Sequence, residues 1–364
     1  MTDPAARMPD DVPSEAALPA LDKKKSLILG GIGIAVIIVI FWKVIPQIGS
    51  YSDALAALEK MTPFALTLIA VSVVAYLAVY GFPFLAATPG LSYWESQRLN
   101  QSAFAISNGV PGGGALGLAV QYAMLNTAGI SGTASTAAIT AVGLWSTFVT
   151  LGLPVLGVVA AVVAGANGGA YGWLGFWGLV ILIAAVVVFV LVMRSEPLAV
   201  KVGHLGNRLV DPLRGRVSAV RDLDCVGPIS KFRANMYDLL KRRWSAITAA
   251  QVAVSLMQFM ILFVALRGIQ GWDNPSVSPL VIFAAFAISQ IGLMIPITPG
   301  GLGTVDAFMI SLLVAFGVDN GVATAADLVW RASSYIPQII IGILALVSWY
   351  RAAGRRFAAV KNPA

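Results

Sequence analysis

Residues 295–308 read IPITPGGLGTVDAF and interrupt a tract that is otherwise apolar, with AISQIGLM before them and MISLLVAF after them. Pro296, Pro299 and three glycines break any helix there, and Asp306 adds a carboxylate directly after the break. Backbone groups freed by Pro and Gly cannot face lipid, because each unsatisfied group costs several kcal/mol in hydrocarbon. We therefore expect the tract 279–316 to form a broken helical hairpin, buried in protein or lining a wet cavity.

The composition of the whole chain is that of an integral membrane protein. Of its 364 residues, 58% are hydrophobic and only 11% are charged, whereas soluble domains carry about 25% charged residues. About 20 apolar residues are needed for one helix to cross a bilayer. The sequence predicts an all-α polytopic fold with about six spanning helices, at 27–46, 63–87, 134–165, 173–193, 244–267 and 328–350.

The positive charges are concentrated in a few segments. Residues 194–243 hold eleven Lys and Arg against five Asp and Glu, and residues 351–364 add four basic residues. Segment 1–25, rich in Pro and Ala and ending in three lysines, is expected to be disordered. Basic loops stay on the cytoplasmic side. We expect a bacterial inner-membrane protein with both termini in the cytoplasm, and we attribute the net charge of +7 to topology and not to nucleic-acid binding.

Two Pro/Gly-broken tracts resemble each other. The tract 101–128 contains FAISNGVPGGGALG, and the tract 279–316 contains FAISQIGLMIPITPGGLG. They predict a divergent internal repeat inside one transmembrane domain, 26–350, with repeat one at about 63–193 and repeat two at about 244–350. The arms of the first hairpin, at about 10 to 14 residues, are too short to cross the membrane. Those of the second, near 18 residues, leave open a re-entrant hairpin or two full spans.

The two hairpins are expected to enter the membrane from opposite faces. With 89–100 and the basic loop 194–243 both inside, the two spans between them form an out-and-back pair, so the first hairpin starts and ends inside. The same parity between 194–243 and the basic tail 351–364 makes the second hairpin start and end outside. The sequence thus predicts an inverted-topology repeat with interrupted helices meeting near its pseudo-two-fold axis.

Several residues of the hairpins are candidates for binding. The glycine clusters of the two turns either allow close helix packing and tight reversal or present backbone amides to an anionic group. Asp306 is a costly intramembrane carboxylate, expected to pair with Arg331 or with the amides of Gly300 to Gly303. Asp327 and Arg331 have i,i+4 spacing, which permits a helix pair in a site or at the outer interface. Gln121 either lines a polar path or satisfies backbone.

The stretch from Thr298 to Ala307 resembles the flippase-like family that includes the membrane domain of bacterial lysylphosphatidylglycerol synthases. That family has roughly P-T-P-G-G-L-G-x-x-E-A, followed some two dozen residues later by an Arg, and here Asp306 stands in the Glu position and Arg331 in the Arg position. In the first repeat the family has N-x-x-x-P-G-R-x-G-E-x-x-R, and this chain departs from it with Gly113 in the Arg position. The predicted substrate-binding set is Asn108, Pro111, Gly112, Gly113, Gly114, Gln121, Thr298, Pro299, Gly300, Gly301, Gly303, Asp306, Asp327 and Arg331.

The resemblance implies movement or binding of a lipid without covalent chemistry. The expected partners are membrane lipids, either an anionic phospholipid or a polyprenyl-phosphate-linked lipid, and self-association is left open. A small-solute or ion transporter and a membrane-embedded lipid transferase are the alternatives. One histidine, His204, and one cysteine, Cys225, do not supply a Cys/His zinc site, and no cofactor is expected.

Overall fold

A computed structural model describes residues 61–109, 113–165, 195–214, 226–273, 275–295 and 299–361, together with a few isolated positions. Within these ranges the chain is helical and contains no strand. The protein is therefore an all-α polytopic membrane protein, as the composition predicts. The predicted N-terminal segment 1–25 and the predicted spans 27–46 and 173–193 lie outside the described residues.

The first half of the described chain contains a span, a hairpin and a long helix. Helices α1 (Pro63–Val79) and α2 (Phe82–Ala87) together form the first span. Helices α3 (Tyr93–Gly109) and α4 (Gly113–Thr127) are the arms of the first hairpin. Helix α5 (Gly132–Val163) follows and is long and apolar enough to cross a bilayer.

The arms of the first hairpin are longer than expected. They have 17 and 15 residues, because α3 begins before the apolar tract does. Ser92 and Glu95 form the reciprocal bonds of a capping box at its start: the Ser92 N–H donates to Glu95 Oε2 at 2.9 Å, and the Glu95 N–H donates to Ser92 Oγ at 3.3 Å. Both arms remain shorter than the roughly 20 residues of a full span.

The second half repeats this order after a helical connection. It contains α6 (Glu196–Arg214), α7 (Val226–Gln270), α8 (Pro279–Ser289), α9 (Thr304–Ala315) and α10 (Asn320–Lys361). The basic segment 194–243, expected to be a loop, is in large part helical, since α6 and the first part of α7 lie in it. Apolar spans end where charge begins, but a helix continues through Lys and Arg, which are good helix formers.

The second hairpin is too short to cross the membrane twice. Helix α8 has 11 residues and is continued by a five-residue 3₁₀ turn to Met294, and α9 has 12 residues. A re-entrant hairpin is therefore the alternative that the helix lengths support. Four helices are long and apolar enough to span, at Pro63–Ala87, Gly132–Val163, Lys241–Gln270 and Asn320–Ala352, and they match four of the six predicted spans.

The two halves share one architecture. Each hairpin ends in a glycine with positive φ, Gly129 at 81° and Gly317 at 96°. Each is followed by a long helix with an internal proline, Pro154 in α5 and Pro337 in α10. The internal repeat predicted from the sequence thus recurs as helix, turn, helix and long helix.

The halves pack crosswise. Helix α3 of the first hairpin packs most extensively against α10, and α8 of the second hairpin packs against α5. Small residues permit both contacts: a Cβ on Gly342 would overlap the Gln101 carbonyl oxygen, and one on Gly157 would lie 2.9 Å from the Ala287 Cβ. Each hairpin is therefore held by the long helix of the other repeat.

Candidate functional site

A cavity of about 610 Å³ lies where the two hairpins meet. Its lining includes Asn108 and Gly114 from the first hairpin and Leu293 and Gly300 from the second. Gly300 has φ 62°, and a Cβ there would lie 2.6 Å from Asn108 Oδ1 and would overlap the Tyr335 hydroxyl. The tips of the two hairpins are thus in direct contact, and only glycine fits at that contact.

Asp306 is fully buried and paired on both of its oxygens. Its Oδ1 lies 2.6 Å from Arg331 Nε, and its Oδ2 accepts a hydrogen bond from the Gly303 N–H at 2.5 Å. The predicted pairing of Asp306 with Arg331 is confirmed. Because the Gly303 amide is bonded to this carboxylate, the N-terminus of α9 is capped by the chain itself and does not offer that N–H to an external anion.

Arg331 connects this pair to the cavity, whose lining it joins. Its guanidinium lies between two aromatic rings, 4.6 Å from the Trp330 ring centroid and 4.9 Å from that of Tyr335. In the described part of the chain its Nη2 atom is sealed in the interior without a partner, whereas Nη1 is not sealed and forms no hydrogen bond. Arg331 is therefore held in place through Nε and by stacking, while the hydrogens of Nη1 remain available to a ligand.

Asp327 does not form the expected helix pair. It is 1% exposed, and neither of its carboxylate oxygens has a hydrogen-bond partner among the described residues. Arg331, one turn along the same helix, bonds to Asp306 instead. Asp327 is also not at the outer interface, the alternative that the sequence left open, because its side chain is buried. The cluster thus combines two buried carboxylates with one guanidinium.

A row of polar side chains on α7 also lines the cavity, and it was not predicted from the sequence. Gln251, Ser255 and Gln258 of α7 all line the cavity. Their i, i+4, i+7 spacing is a polar stripe in an otherwise apolar span, and it is the signal by which sequence could have found them. Tyr335 also lines the cavity, and its hydroxyl donates to the Gly300 carbonyl at 2.7 Å.

The predicted binding residues that the structure describes lie in four settings. The cavity lining includes Asn108, Gly114, Gln121, Gly300 and Arg331. Asp306 and Asp327 are buried beside it, Pro299, Gly301 and Gly303 shape the second turn, and Gly113 packs on the backbone of Ile106. Pro111, Gly112 and Thr298 lie outside the described residues. Among the residues that are described, no three His, Cys, Asp or Glu side chains cluster as a metal site would require.

Comparison of the sequence with known proteins identifies one family of membrane proteins and two curated membrane proteins to which the chain is similar. The family model described as the lysylphosphatidylglycerol synthase TM region matches residues 30–342. A UPF0104 membrane protein of Methanocaldococcus jannaschii is 30% identical over 112 residues, which is 29% of this chain and 31% of that protein. A UPF0104 membrane protein of Methanothermobacter thermautotrophicus is 28% identical over 118 residues, 32% of this chain and 34% of that protein. The chain thus aligns with about a third of the length of these curated relatives.

Proposed function

Because this chain belongs to the family of the lysylphosphatidylglycerol synthase TM region, we propose that it translocates or binds a phospholipid or lipid-linked substrate without covalent chemistry. The transported headgroup passes through the cavity between the two hairpins. The partners are membrane lipids, an anionic phospholipid or a polyprenyl-phosphate-linked lipid. The protein acts in the bacterial inner membrane, with both termini of the chain in the cytoplasm.

The observation that carries this proposal is the position of Arg331. Among the described residues a single guanidinium lines a cavity between two re-entrant hairpins, and its Nη1 atom is not sealed in the interior and has no protein partner. A guanidinium held by stacking and by one carboxylate is suited to a phosphate oxygen, because charge-assisted hydrogen bonds are about twice as strong as neutral ones. Interrupted helices meeting at one site are also the arrangement found in inverted-repeat transporters.

Apolar surface in the same cavity suits the lipid chains. Leu118 and Leu293 line the cavity and are 45% and 40% exposed. Among the described residues, the remaining lining is built of apolar and uncharged polar side chains around Arg331. That combination binds an amphipathic molecule, with the phosphate at the guanidinium and the chains against the leucines. The proposal assigns no acid or base role to any residue.

Reconstituted protein tests the proposal. The full chain is placed in liposomes carrying phosphatidylglycerol with a fluorescent acyl chain, or a fluorescent polyprenyl phosphate, and dithionite reports how fast the inner-leaflet label reaches the outer leaflet. We expect faster exchange than in protein-free liposomes, with the lipid recovered unmodified. No exchange of either lipid, or a new lipid species formed from a supplied donor, would refute the proposal.

Two adjacent positions of α5 give a matched control. Ser146 lines the cavity and Thr147 does not, and both side chains are exposed. Ser146→Trp is expected to fill the cavity and slow exchange at least tenfold. Thr147→Trp adds the same indole outside the cavity and is expected to leave exchange within about twofold of the wild-type rate. Equal slowing by both substitutions would place the lipid path elsewhere.

A further inference from the structure

Amide side chains form much of the polar lining of the cavity. Six of them contribute from three helices and the 3₁₀ turn: Asn100, Asn108, Gln121, Gln251, Gln258 and Gln290. An amide carries both an acceptor oxygen and a donor nitrogen. The ligand groups that these six amides can bind, which we call the polar wall, therefore depend on which end of each amide faces the cavity.

The protein itself fixes that orientation. Four amide nitrogens donate to backbone carbonyls at N–O distances of 2.8 to 3.2 Å: those of Asn100, Asn108, Gln251 and Gln290. A backbone carbonyl only accepts, so the nitrogen must be the bonded end. The nitrogen of Gln258 donates to the Tyr76 hydroxyl at 2.9 Å, and that hydroxyl donates its own hydrogen to Gln338.

The carbonyl oxygens of these amides are left for a ligand. Among the described residues, no hydrogen bond ends on the side-chain oxygens of Asn100, Asn108, Gln251, Gln258 and Gln290, and none of these oxygens is sealed in the interior. The cavity thus presents several acceptors at fixed positions.

The hydroxyl groups of the lining add further acceptors. Ser255, Ser334 and Tyr335 each direct their hydroxyl hydrogen to a backbone carbonyl, at 3.2, 2.7 and 2.7 Å. A hydroxyl has one hydrogen and two lone pairs, so each of these oxygens can now only accept. A ligand that forms hydrogen bonds with these oxygens must therefore supply the donors, and hydroxyl groups can do so.

The charge of the lining distinguishes hydroxyl donors from ammonium donors. Arg331 is a cation, and no carboxylate lines the cavity in the part of the chain that the structure describes. Asp306 lies behind Arg331 and is already bonded to it and to Gly303. No carboxylate of the described lining could pair with an ammonium group there, so that group would lose its water without gaining a counter-ion, whereas a neutral hydroxylated group needs none.

We infer that the cavity selects lipids whose headgroup joins one anionic phosphodiester to a neutral, hydroxyl-rich group such as a polyol or a sugar, and discriminates against headgroups with a free amine. The phosphodiester binds Arg331 Nη1, and the hydroxyl groups donate to the amide and hydroxyl oxygens. This inference rests on the proposed function and names its substrate class.

A panel of three lipids tests it in liposomes that contain the full chain. All carry the same fluorescent acyl chain: phosphatidylglycerol has two free hydroxyls, the phosphatidyl methyl ester has the phosphodiester without hydroxyls, and lysylphosphatidylglycerol adds amines to the glycerol. We expect phosphatidylglycerol to exchange at least tenfold faster than either of the other two. Equal acceleration of all three lipids would overturn the selectivity while leaving the proposed function in place. Acceleration of none would reject both.

One amide can be removed without breaking a hydrogen bond of the protein. The side chain of Gln121 lines the cavity and forms no hydrogen bond with another described residue. Asn126 lies on the same helix but is exposed and outside the lining. Gln121→Leu is expected to lower the preference for phosphatidylglycerol over the methyl ester by about threefold. Asn126→Leu is the control and is expected to leave the preference unchanged. An unchanged preference in both variants would remove Gln121 from the polar wall.

Discussion

Replacing Asp306 by Asn is expected to destabilise the protein by about 3 kcal/mol. The change removes the charge that lies 2.6 Å from Arg331 Nε and leaves a buried guanidinium without its bonded carboxylate. Breaking a buried pair on one side typically costs about 3–5 kcal/mol. Asparagine keeps one amide oxygen that can accept from Arg331 Nε or from the Gly303 N–H, which places our expectation at the lower end of that range.

The assay is unfolding of the purified protein in mixed micelles of increasing SDS content, followed by circular dichroism. Asp319→Asn is the matched control, because Asp319 is exposed and caps α10 through a 3.2 Å bond from the Val322 N–H. Asn caps helices about as well as Asp, so this variant should change the unfolding free energy by less than about 0.5 kcal/mol. A loss below about 1 kcal/mol for Asp306→Asn would refute the reasoning.

A double-mutant cycle measures the interaction energy between Asp306 and Arg331 apart from their contacts with other residues. Arg331→Gln alone leaves two buried carboxylates without a cation, and it should also be strongly destabilising. The double variant removes both sides of the pair, so its loss should be smaller than the sum of the single losses by at least about 1 kcal/mol. Additive losses would show that Asp306 and Arg331 are not energetically coupled.

Three further outcomes are expected. Gly300→Ala should cost about 1–3 kcal/mol more than Gly90→Ala in the same SDS titration, because both positions have positive φ but only Gly300 has neighbours within reach of a Cβ; equal costs would contradict the tip contact. Tyr335→Phe removes the 2.7 Å bond to the Gly300 carbonyl and should cost about 0.5–1.5 kcal/mol; no measurable change would contradict it. In a Cys225→Ser background, a cysteine at residue 170 should react with an impermeant maleimide only from outside the cell, and labelling only from the cytoplasm would overturn the predicted topology.

The spans and hairpins were predictable from the sequence because each depends on one local physical property. A span is indicated by about 20 consecutive apolar residues. A hairpin is indicated by Pro and Gly in an apolar tract, because the backbone polar groups that they free must be shielded from lipid. The pairing of Asp306 with Arg331 was predictable from the motif and from the cost of an isolated intramembrane charge. Each of these features is decided by local sequence or by one electrostatic partner.

The tertiary partners of the polar residues on α7 and of Asp327 could not be predicted in the same way. Gln251 and Gln258 share a face of α7, but which helices that face meets depends on how α7 is rotated against α5 and α1, and no local term decides that. The i,i+4 spacing of Asp327 and Arg331 permits a helix pair, which the structure does not contain. Tertiary packing instead brought Asp306 of another helix to the same guanidinium, and only one carboxylate could bond to Nε.

The crosswise packing of the two repeats has a consequence for biogenesis. Helix α3 ends at Gly109, whereas α10, its most extensive partner, begins only at Asn320. At about 5–20 residues per second, the ribosome needs roughly 10–40 seconds to make the chain between them. During that time the close-packing surface of α3 around Gln101 has no Gly342 to receive it. The packing of the first hairpin is therefore completed only after the last helix has been synthesised.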